Sequence, residues 1–368
     1  MKFSIHRDPL LAALQKAQSV VEKKSTVPIL SNILCVVKDG QLSLSATDLE
    51  VGIRITLPVE NSQDGKLTLS AKNFLDIVKE LPAKNLEITR KENNWTEIIC
   101  GKSKFNVVSL AADEFPALPQ FEEKNYNDAR VEALKEMIQK TSFAVATDPT
   151  RYNLNGVYFE NIENNIMRMT ATDGHRLSLV DQEVFMTIPD LKRGLIIPKK
   201  GLNEFKKLLD EASTSIGMAF ERGYIFIRMD QSFLFVRLIE GEYPDYRQVI
   251  PKEADKTAVL PREEFNSALK RVSLLAHEKS RGVKLSLQAG QLTITSSNPD
   301  MGEAREELDI TYSGDPIEIG FNARYLLDCL SVMVGDQIQF NFTNRMRPGI
   351  LREVGKVNHT YMIMPMSI

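Results

Sequence analysis

A period of 125 residues constrains this chain more than any other feature of its sequence. "LSLSATDLEV" (42–51) and "MRMTATDGHR" (167–176) each read as a short alternating strand ending in Ala-Thr-Asp, with Asp48 and Asp173 standing 125 residues apart. "LTITSSNPDM" (292–301) repeats the strand and places Asn298 a further 125 residues on. Closing landmarks recur as well. "KFNVVSL" leads to "DEFPALP", "FLFVRLI" leads to "GEYPDYRQVIP", and "TYMIMPMSI" carries Pro365 in the corresponding place. The pattern predicts three copies of one module, over 1–120, 127–250 and 252–368. The polar stretches "EEKNYND" (122–128) and "PKEADK" (251–256) suit the joins.

Each third opens with an amphipathic helical pattern, marked by Leu10, Leu14, Ala17 and Val21, by Leu134, Met137, Ile138 and Thr141, and by Phe265, Ala268, Leu269 and Val272. A second helix follows in each. Phe74, Ile77, Val78 and Leu81 form its face in the first, and Leu202, Phe205, Leu208 and Leu209 in the second. "NARYLLDCLSVM" is more apolar all round. Strands outnumber helices and do not alternate strictly with them. The expected class is therefore α+β, each module packing two helices on antiparallel sheets.

Composition excludes more than it suggests. Three scattered cysteines with no C-x-x-C pair read as packed thiols of a reduced, cytoplasmic protein. "MKFSIHRDPLL" meets His, Arg and Asp before any apolar run and does not read as a signal peptide, and no apolar stretch reaches membrane length. No phosphate-binding glycine loop, nucleophile elbow or zinc motif occurs, and the four histidines have no metal-ligand spacing. No metal or cofactor is expected. Asp173-Gly174-His175-Arg176 admits a hydrolase reading with His175 as base and Asp173 as its orienter. Asp48 occupies the same turn with no histidine beside it, so a turn-forming role is the simpler one.

The helix faces opposite the cores carry lysines at seven-residue spacing: Lys72 with Lys79, Lys199 with Lys206, and Lys200 with Lys207. In a chain of net charge −3, local basic helix faces are what attraction to phosphates without base reading requires. In "YMIMPM", Met362, Met364 and Met366 alternate with Tyr361, Ile363 and Pro365. Methionine suits either a core or an adaptable binding surface.

"VPILSNIL", "LSLSATDLE", "RYNLNG", "TATDGHRL", "YPDYRQVIP", "EKSRGVKL", "TYSG" and "YMIMPM" together resemble the bacterial sliding clamp family, the beta subunit of DNA polymerase III, over the whole chain. The resemblance implies a non-catalytic processivity factor. Two chains would join head to tail into a ring that encloses duplex DNA, with helices lining the hole. Such a clamp would tether the replicative polymerase, and would also serve the clamp loader, repair and translesion polymerases and mismatch-repair proteins. A partner-peptide groove is implied at Leu154, Thr172, Gly174, His175, Arg176, Leu177, Pro244, Val249, Asn322, Tyr325, Met346, Met362, Ile363, Met364, Pro365 and Met366. DNA contacts are implied at Lys24, Lys72, Arg151 and Tyr152, with Asp148 and Asn153 beside them, and Lys199 and Lys206 extend the basic lining. Asn153 stands where the family has a second aromatic residue. "NRMRPGILRE" (344–353) also departs from the family at the groove's edge.

On the helix of Phe265, apolar Leu274 lies opposite the core face next to Leu275, and the resemblance implies that this region meets a strand edge near Phe105 and Val107 in the first module of the other chain. The alternative is a linear three-repeat scaffold that never closes on DNA.

Overall fold

The computed structural model describes residues 1–368 apart from 22–26, 93, 120–125, 164–165, 186–190, 192, 213 and 252–253. Part of each expected join, 122–125 and 252–253, lies outside the described residues. One order of elements recurs three times, with one additional strand (Glu60–Gln63) in the first repeat. The first repeat holds β1 (Lys2–His6), α1 (Arg7–Val20), β2 (Asn32–Lys38), β3 (Gln41–Thr47), β4 (Val51–Pro58), β5 (Glu60–Gln63), β6 (Gly65–Ser70), α2 (Ala71–Glu80), β7 (Asn85–Arg90), β8 (Trp95–Cys100) and β9 (Ser103–Leu110). The second holds β10 (Asn127–Arg130), α3 (Val131–Thr141), β11 (Gly156–Glu163), β12 (Ile166–Thr172), β13 (Arg176–Glu183), β14 (Leu195–Pro198), α4 (Lys199–Glu211), β15 (Ser215–Glu221), β16 (Tyr224–Met229) and β17 (Ser232–Arg237). The third holds β18 (Lys256–Pro261), α5 (Arg262–Val272), β19 (Gly282–Gln288), β20 (Gln291–Asn298), β21 (Gly302–Asp309), β22 (Ile317–Asn322), α6 (Ala323–Val332), β23 (Gln337–Phe342), β24 (Gly349–Glu353) and β25 (His359–Ile363).

A short strand precedes the first helix of every repeat, which the helix-first reading of the sequence passed over. β1 pairs with β7, β10 with β15 and β18 with β23, so each opening strand is a sheet member. Local signals set the boundaries. Ser70 caps α2 by accepting from the Asn73 N–H, and Asn322 caps α6 by accepting from Arg324. Asp39 and Gly40, both at positive φ, close the β2–β3 hairpin.

The chain divides into two compact units: 1–131, 185–189 and 200–238 in the first, and 132–184, 190–199 and 239–368 in the second. The division passes through the second repeat, because that repeat's strands enter two different sheets. In the first unit the strand order is β10-β15-β16-β17-β4-β3-β2-β6-β9-β8-β7-β1-β5, so the second repeat joins the first through β17 and β4. In the second unit an eight-stranded sheet runs β14-β11-β12-β13-β25-β24-β23-β18, joined through β13 and β25, beside a four-stranded sheet β21-β20-β19-β22. Antiparallel pairing at each seam covers strand edges that a lone repeat would leave open.

The first unit's core holds Phe3, Leu10, Leu14, Leu44, Phe74 and Val78, where α1 and α2 pack together. The second unit's largest core cluster joins Phe265, Leu269, Phe321, Leu326, Leu330, Phe340 and Tyr361 around α5 and α6. All three cysteines are buried thiols, and burial pushes Cys35 up to about 12. No helix among the described residues is long and apolar enough to cross a membrane.

Candidate functional site

The second Asp turn joins β12 to β13. Thr172 Oγ1 donates to the Arg176 carbonyl (2.5 Å) and accepts from the Gly174 N–H (3.1 Å). Asp173 Oδ1 accepts from the backbone N–H groups of His175 (2.9 Å) and Arg176 (3.0 Å). The carboxylate therefore holds the turn through the backbone, not the imidazole, which removes the hydrolase dyad. Arg176 is also corrected. Only 7% exposed, it donates to Asp173 Oδ2 (3.1 Å), Asp328 Oδ2 (2.6 Å) and the Phe143 carbonyl (2.6 Å). Its guanidinium lies 4.5 Å from the Tyr325 ring centroid and 5.5 Å from that of Phe143. Burial works against its charge, but Tyr361, Asp328 and Asp173 outweigh it and raise the pKa. Arg176 thus spends its guanidinium on the buried frame of the floor rather than on the surface.

Strands β13 and β25 form that floor. The register Leu177↔Met362 sets those side chains side by side, and they pack with Leu179 and Tyr246. Half-buried Tyr158, Tyr243 and Ile250 line the same cluster, with Tyr158 and Tyr243 stacked at 4.9 Å. Segment 243–250 is pinned from behind. Glu160 accepts from Tyr246 Oη (2.5 Å) and from Arg247 (2.7 Å). Pro244, Val249 and His175 remain exposed and Leu154 half-buried. A floor of Leu177 and Met362 under an exposed rim suits an extended segment with large apolar anchors.

Sequence reasoning missed Tyr158, Leu179, Tyr243, Tyr246 and Ile250. "YPDYRQVIP" had marked the stretch as a landmark, but which of its residues turn inward depends on Glu160 and the strand register.

Three further assignments change. Ile363 is fully buried in the α5–α6 core, on the face of β25 opposite Met362. β25 ends at Ile363, so Met364 and Met366 belong to an extended tail and not to a strand stripe. Asn322 spends both ends of its amide on structure, accepting from Arg324 (2.9 Å) and donating to the Ser280 carbonyl (3.1 Å). Met346, by contrast, is 77% exposed on the β23–β24 loop.

Of the residues assigned to DNA, Lys24 lies outside the described residues. Lys72 and Lys206 are exposed on α2 and α4, opposite Phe74 and Phe205. Lys199 is half-buried and opens α4 beside Lys200, where the positive helix end disfavours cations. Asp48 offsets Lys200 through an ion pair. Tyr152 is exposed. Asp148 is occupied by its own loop, accepting from the N–H (2.9 Å) and Oγ1 (2.7 Å) of Thr150, which hold its pKa low. Asn153 donates to the Glu242 carbonyl (2.9 Å). Arg151 reaches the groove instead. Its guanidinium donates to the Asp173 carbonyl (2.7 Å) and lies across Gly174, where a Cβ would stand 2.5 Å from it. The structure thus brings one expected DNA contact onto the expected peptide site.

For the dimer residues, α5 ends at Val272. Leu274 lies on a following 3₁₀ turn (Ser273–Leu275), 74% exposed, with Leu275 half-buried. Phe105 and Val107 lie on β9, which pairs with β8 along its length but with β6 only at Ser109 and Leu110. Among the described residues β21 pairs with β20 alone, and both β9 and β21 leave one edge largely without strand pairing.

Three α+β repeats joined by antiparallel seams define a clamp-type chain. Models of the DNA polymerase III beta subunit match it in order: the N-terminal domain over 1–119, the central domain over 129–245 and the C-terminal domain over 247–367. The chain belongs to the DNA polymerase III beta subunit family. It is 36% identical to the beta sliding clamp of Pseudomonas putida over 370 residues, covering 100% of both chains. It matches the crystal structure of the DNA polymerase III beta subunit from Pseudomonas aeruginosa with a TM-score of 0.95 at 34% identity, again over 100% of both. A second match, at TM-score 0.93, 35% identity and 100% of both chains, is the sliding clamp from Pseudomonas aeruginosa bound to griselimycin.

Proposed function

We infer that the protein is a DNA polymerase sliding clamp, a non-catalytic processivity subunit acting in DNA replication. One observation carries this reading: three beta-subunit domain models tile the chain in order, and its fold follows a complete clamp from end to end. The linear scaffold is not favoured, since relatives named beta sliding clamp match the chain over their whole length. Modules at 1–120, 127–250 and 252–368 close into a cytoplasmic head-to-tail homodimer around duplex DNA. The open edge of β9, with Lys104, meets the open edge of β21, with Glu303. Leu274 and Leu275 lie against Phe105 and Val107. Lys72, Lys199, Lys206 and Tyr152 face DNA without reading its sequence. The groove takes apolar-anchored segments of the replicative polymerase, clamp loader, repair and translesion polymerases and mismatch-repair proteins, and topological linkage lets such weak contacts suffice.

Retention on DNA tests the ring. The protein, loaded onto circular DNA, is expected to stay bound and to leave once the circle is cut. Equal retention on linear DNA would return the scaffold. For the groove, deleting Met364–Ile368 is expected to lower affinity for a partner-derived peptide by about thirtyfold, or ~2 kcal/mol, with the dimer mass kept.

A further inference from the structure

The sequence sets two equal lysine stripes on α4, Lys199 with Lys206 and Lys200 with Lys207, and the structure treats them unequally. Lys206 is exposed and makes no ion pair among the described residues, and the same holds for Lys72 and Lys79 on α2. Lys200 and Lys207 each stand over a buried carboxylate. Lys200 pairs with Asp48, whose side chain is 3% exposed, and Lys207 with that of Glu204 (2.7 Å), at 10%. Glu204 also accepts from Ser19 Oγ on α1 (2.5 Å). One turn from Ser19, Lys16 pairs with Glu211 at the end of α4 (2.5 Å).

Crowding does not impose these pairs. Lys16, Ser19, Glu204, Lys207 and Glu211 line a cleft of about 640 Å³ between α1 and α4, floored by Ile53 and Leu234, so the lysine stems have room to swing. Charge holds them. A carboxylate taken out of water needs a partner within the protein, and over Asp48 and Glu204 a lysine supplies it. A lysine so engaged is half of a neutral pair and adds little to the counterion release that drives phosphate binding. Lys16–Glu211 and Lys200–Asp48 each join the first repeat to the second, so no single repeat encodes them.

We propose that Asp48, Glu204 and Glu211 cancel charge in the DNA-facing wall: they hold Lys200, Lys207 and Lys16 as neutral pairs and leave phosphate contact to unpaired lysines such as Lys72 and Lys206. This inference rests on the reading that the chain encloses duplex DNA. A wall built so attracts the duplex at few points, which suits movement along it.

The test uses the full-length dimer and a short labelled duplex, with affinity measured against salt concentration. Glu204→Gln with Glu211→Gln frees Lys207 and Lys16, and the log–log salt slope is expected to steepen by up to ~0.9 for each lysine freed. Should that variant fail to fold, Glu211→Gln alone, at an exposed position, carries the same expectation for Lys16. Removing whole pairs, as Glu204→Gln/Lys207→Gln and Lys16→Gln/Glu211→Gln, should leave the slope at its wild-type value. Asp210→Asn removes a carboxylate of the same cleft that pairs with no lysine among the described residues, and should also leave it there. Lys72→Gln with Lys206→Gln should lower the slope. If that last variant lowers it but freeing the lysines does not steepen it, the proposal is overturned and the DNA-enclosing reading stands. Pair removal that lowers the slope, or Asp210→Asn that steepens it as much as Glu211→Gln, overturns the proposal in the same way. A slope that no variant changes overturns the enclosing reading and this inference with it.

Discussion

Both intact Asp turns lead into a seam strand, and the two seams end differently. In the first, Asp48 Oδ1 accepts from Glu50 (3.0 Å) and Val51 (2.7 Å), and Thr47 Oγ1 donates to the Val51 carbonyl (2.8 Å). These bonds match those of Asp173 and Thr172 one for one. Each turn then starts the strand that pairs with the next repeat, β4 with β17 and β13 with β25. Past the turn the likeness stops. The first seam pairs Gly52 with Phe235, and a Cβ on Gly52 would lie 2.0 Å from that ring. Phe235 joins Ala219 and Phe226, with Leu118, Tyr126, Tyr224 and Phe233 packed against them. The face is filled. At the matching register the second seam pairs Leu177 with Met362, which cluster with Leu179 and Tyr246, while half-buried Tyr158 and Tyr243 pack against them. A groove therefore requires no new turn. What differs is the pair itself: Gly52 leaves the space that the Phe235 ring fills, whereas Leu177 and Met362 each carry a side chain at that register.

Importing the second seam's residue into the first should have the largest effect. Gly52→Leu forces a side chain into the Phe235 ring, and we expect a loss of about 3 kcal/mol, read from denaturant unfolding. Adding Phe235→Met, to recreate the Leu–Met pair, should recover more than half of it. If the double variant is no better than the single, the seams differ in backbone and the comparison fails.

The seams also differ in pH response. Behind the second, buried His359 faces Ser178 Oγ (3.3 Å), with Lys140, Glu353 and Lys356 around it, and burial lowers its pKa to about 4. The imidazole is neutral in the folded chain, while the unfolded chain takes up a proton near pH 6.5. Stability from this group is thus complete above pH 6.5 and is lost as pH falls toward 4, up to about 3 kcal/mol. β4 and β17 contain no histidine. Acid unfolding between pH 6.5 and 4 should therefore begin at the second seam, detected by hydrogen exchange in β13 and β25. His359→Gln should flatten the pH dependence, and equal exchange in β4 and β17 would contradict the assignment.

The third break concerns Gly174. It sits at φ +88°, and Arg151 crosses where its Cβ would be. Gly174→Ala should cost about 1–2 kcal/mol and displace Arg151. Peptide affinity should fall with it, whereas Arg151→Ala should weaken the groove without the backbone penalty. Identical peptide affinities across wild type and both variants would detach Arg151 from the groove.

The three-repeat plan, the helix faces and the turn were legible because each rests on a short-range period or a local hydrogen-bonding residue. Phe74 and Phe205 could be placed inside from spacing alone. The short strands β1, β10 and β18 were not, since 4–6 residues carry little periodicity of their own. The groove was half legible. Leu177 and Met362 were named, but Ile363 beside Met362 faces the opposite core, and only the strand's register decides which of two neighbours lines the floor. That Arg176 and Asn322, expected in the groove, are spent on structure was not legible, because their partners Asp328 and Ser280 lie far from them in sequence. Arg151 across Gly174 is likewise a contact between segments that no local pattern encodes.

The smallest expected effect is a gain. Leu49 occupies the place of Gly174 in the first turn and has φ +78°, although it carries a side chain. The turn's hydrogen bonds hold it there: its N–H donates to Thr47 Oγ1 (3.0 Å), and Asp48 secures the two residues after it. A leucine in the left-handed region costs about 1–2 kcal/mol, and this one is largely exposed, so it buries little in return. Glycine adopts that φ freely but brings more freedom to the unfolded chain, which offsets about 0.5–1 kcal/mol. Leu49→Gly should therefore stabilise the first turn by about 0.5 kcal/mol, seen as a small rise in the unfolding midpoint and slower amide exchange at Val51. It should leave peptide binding untouched. A clear loss of stability would mean that the Leu49 side chain packs against a partner of its own, and the two turns would then differ in what surrounds them as well as in the residue they carry.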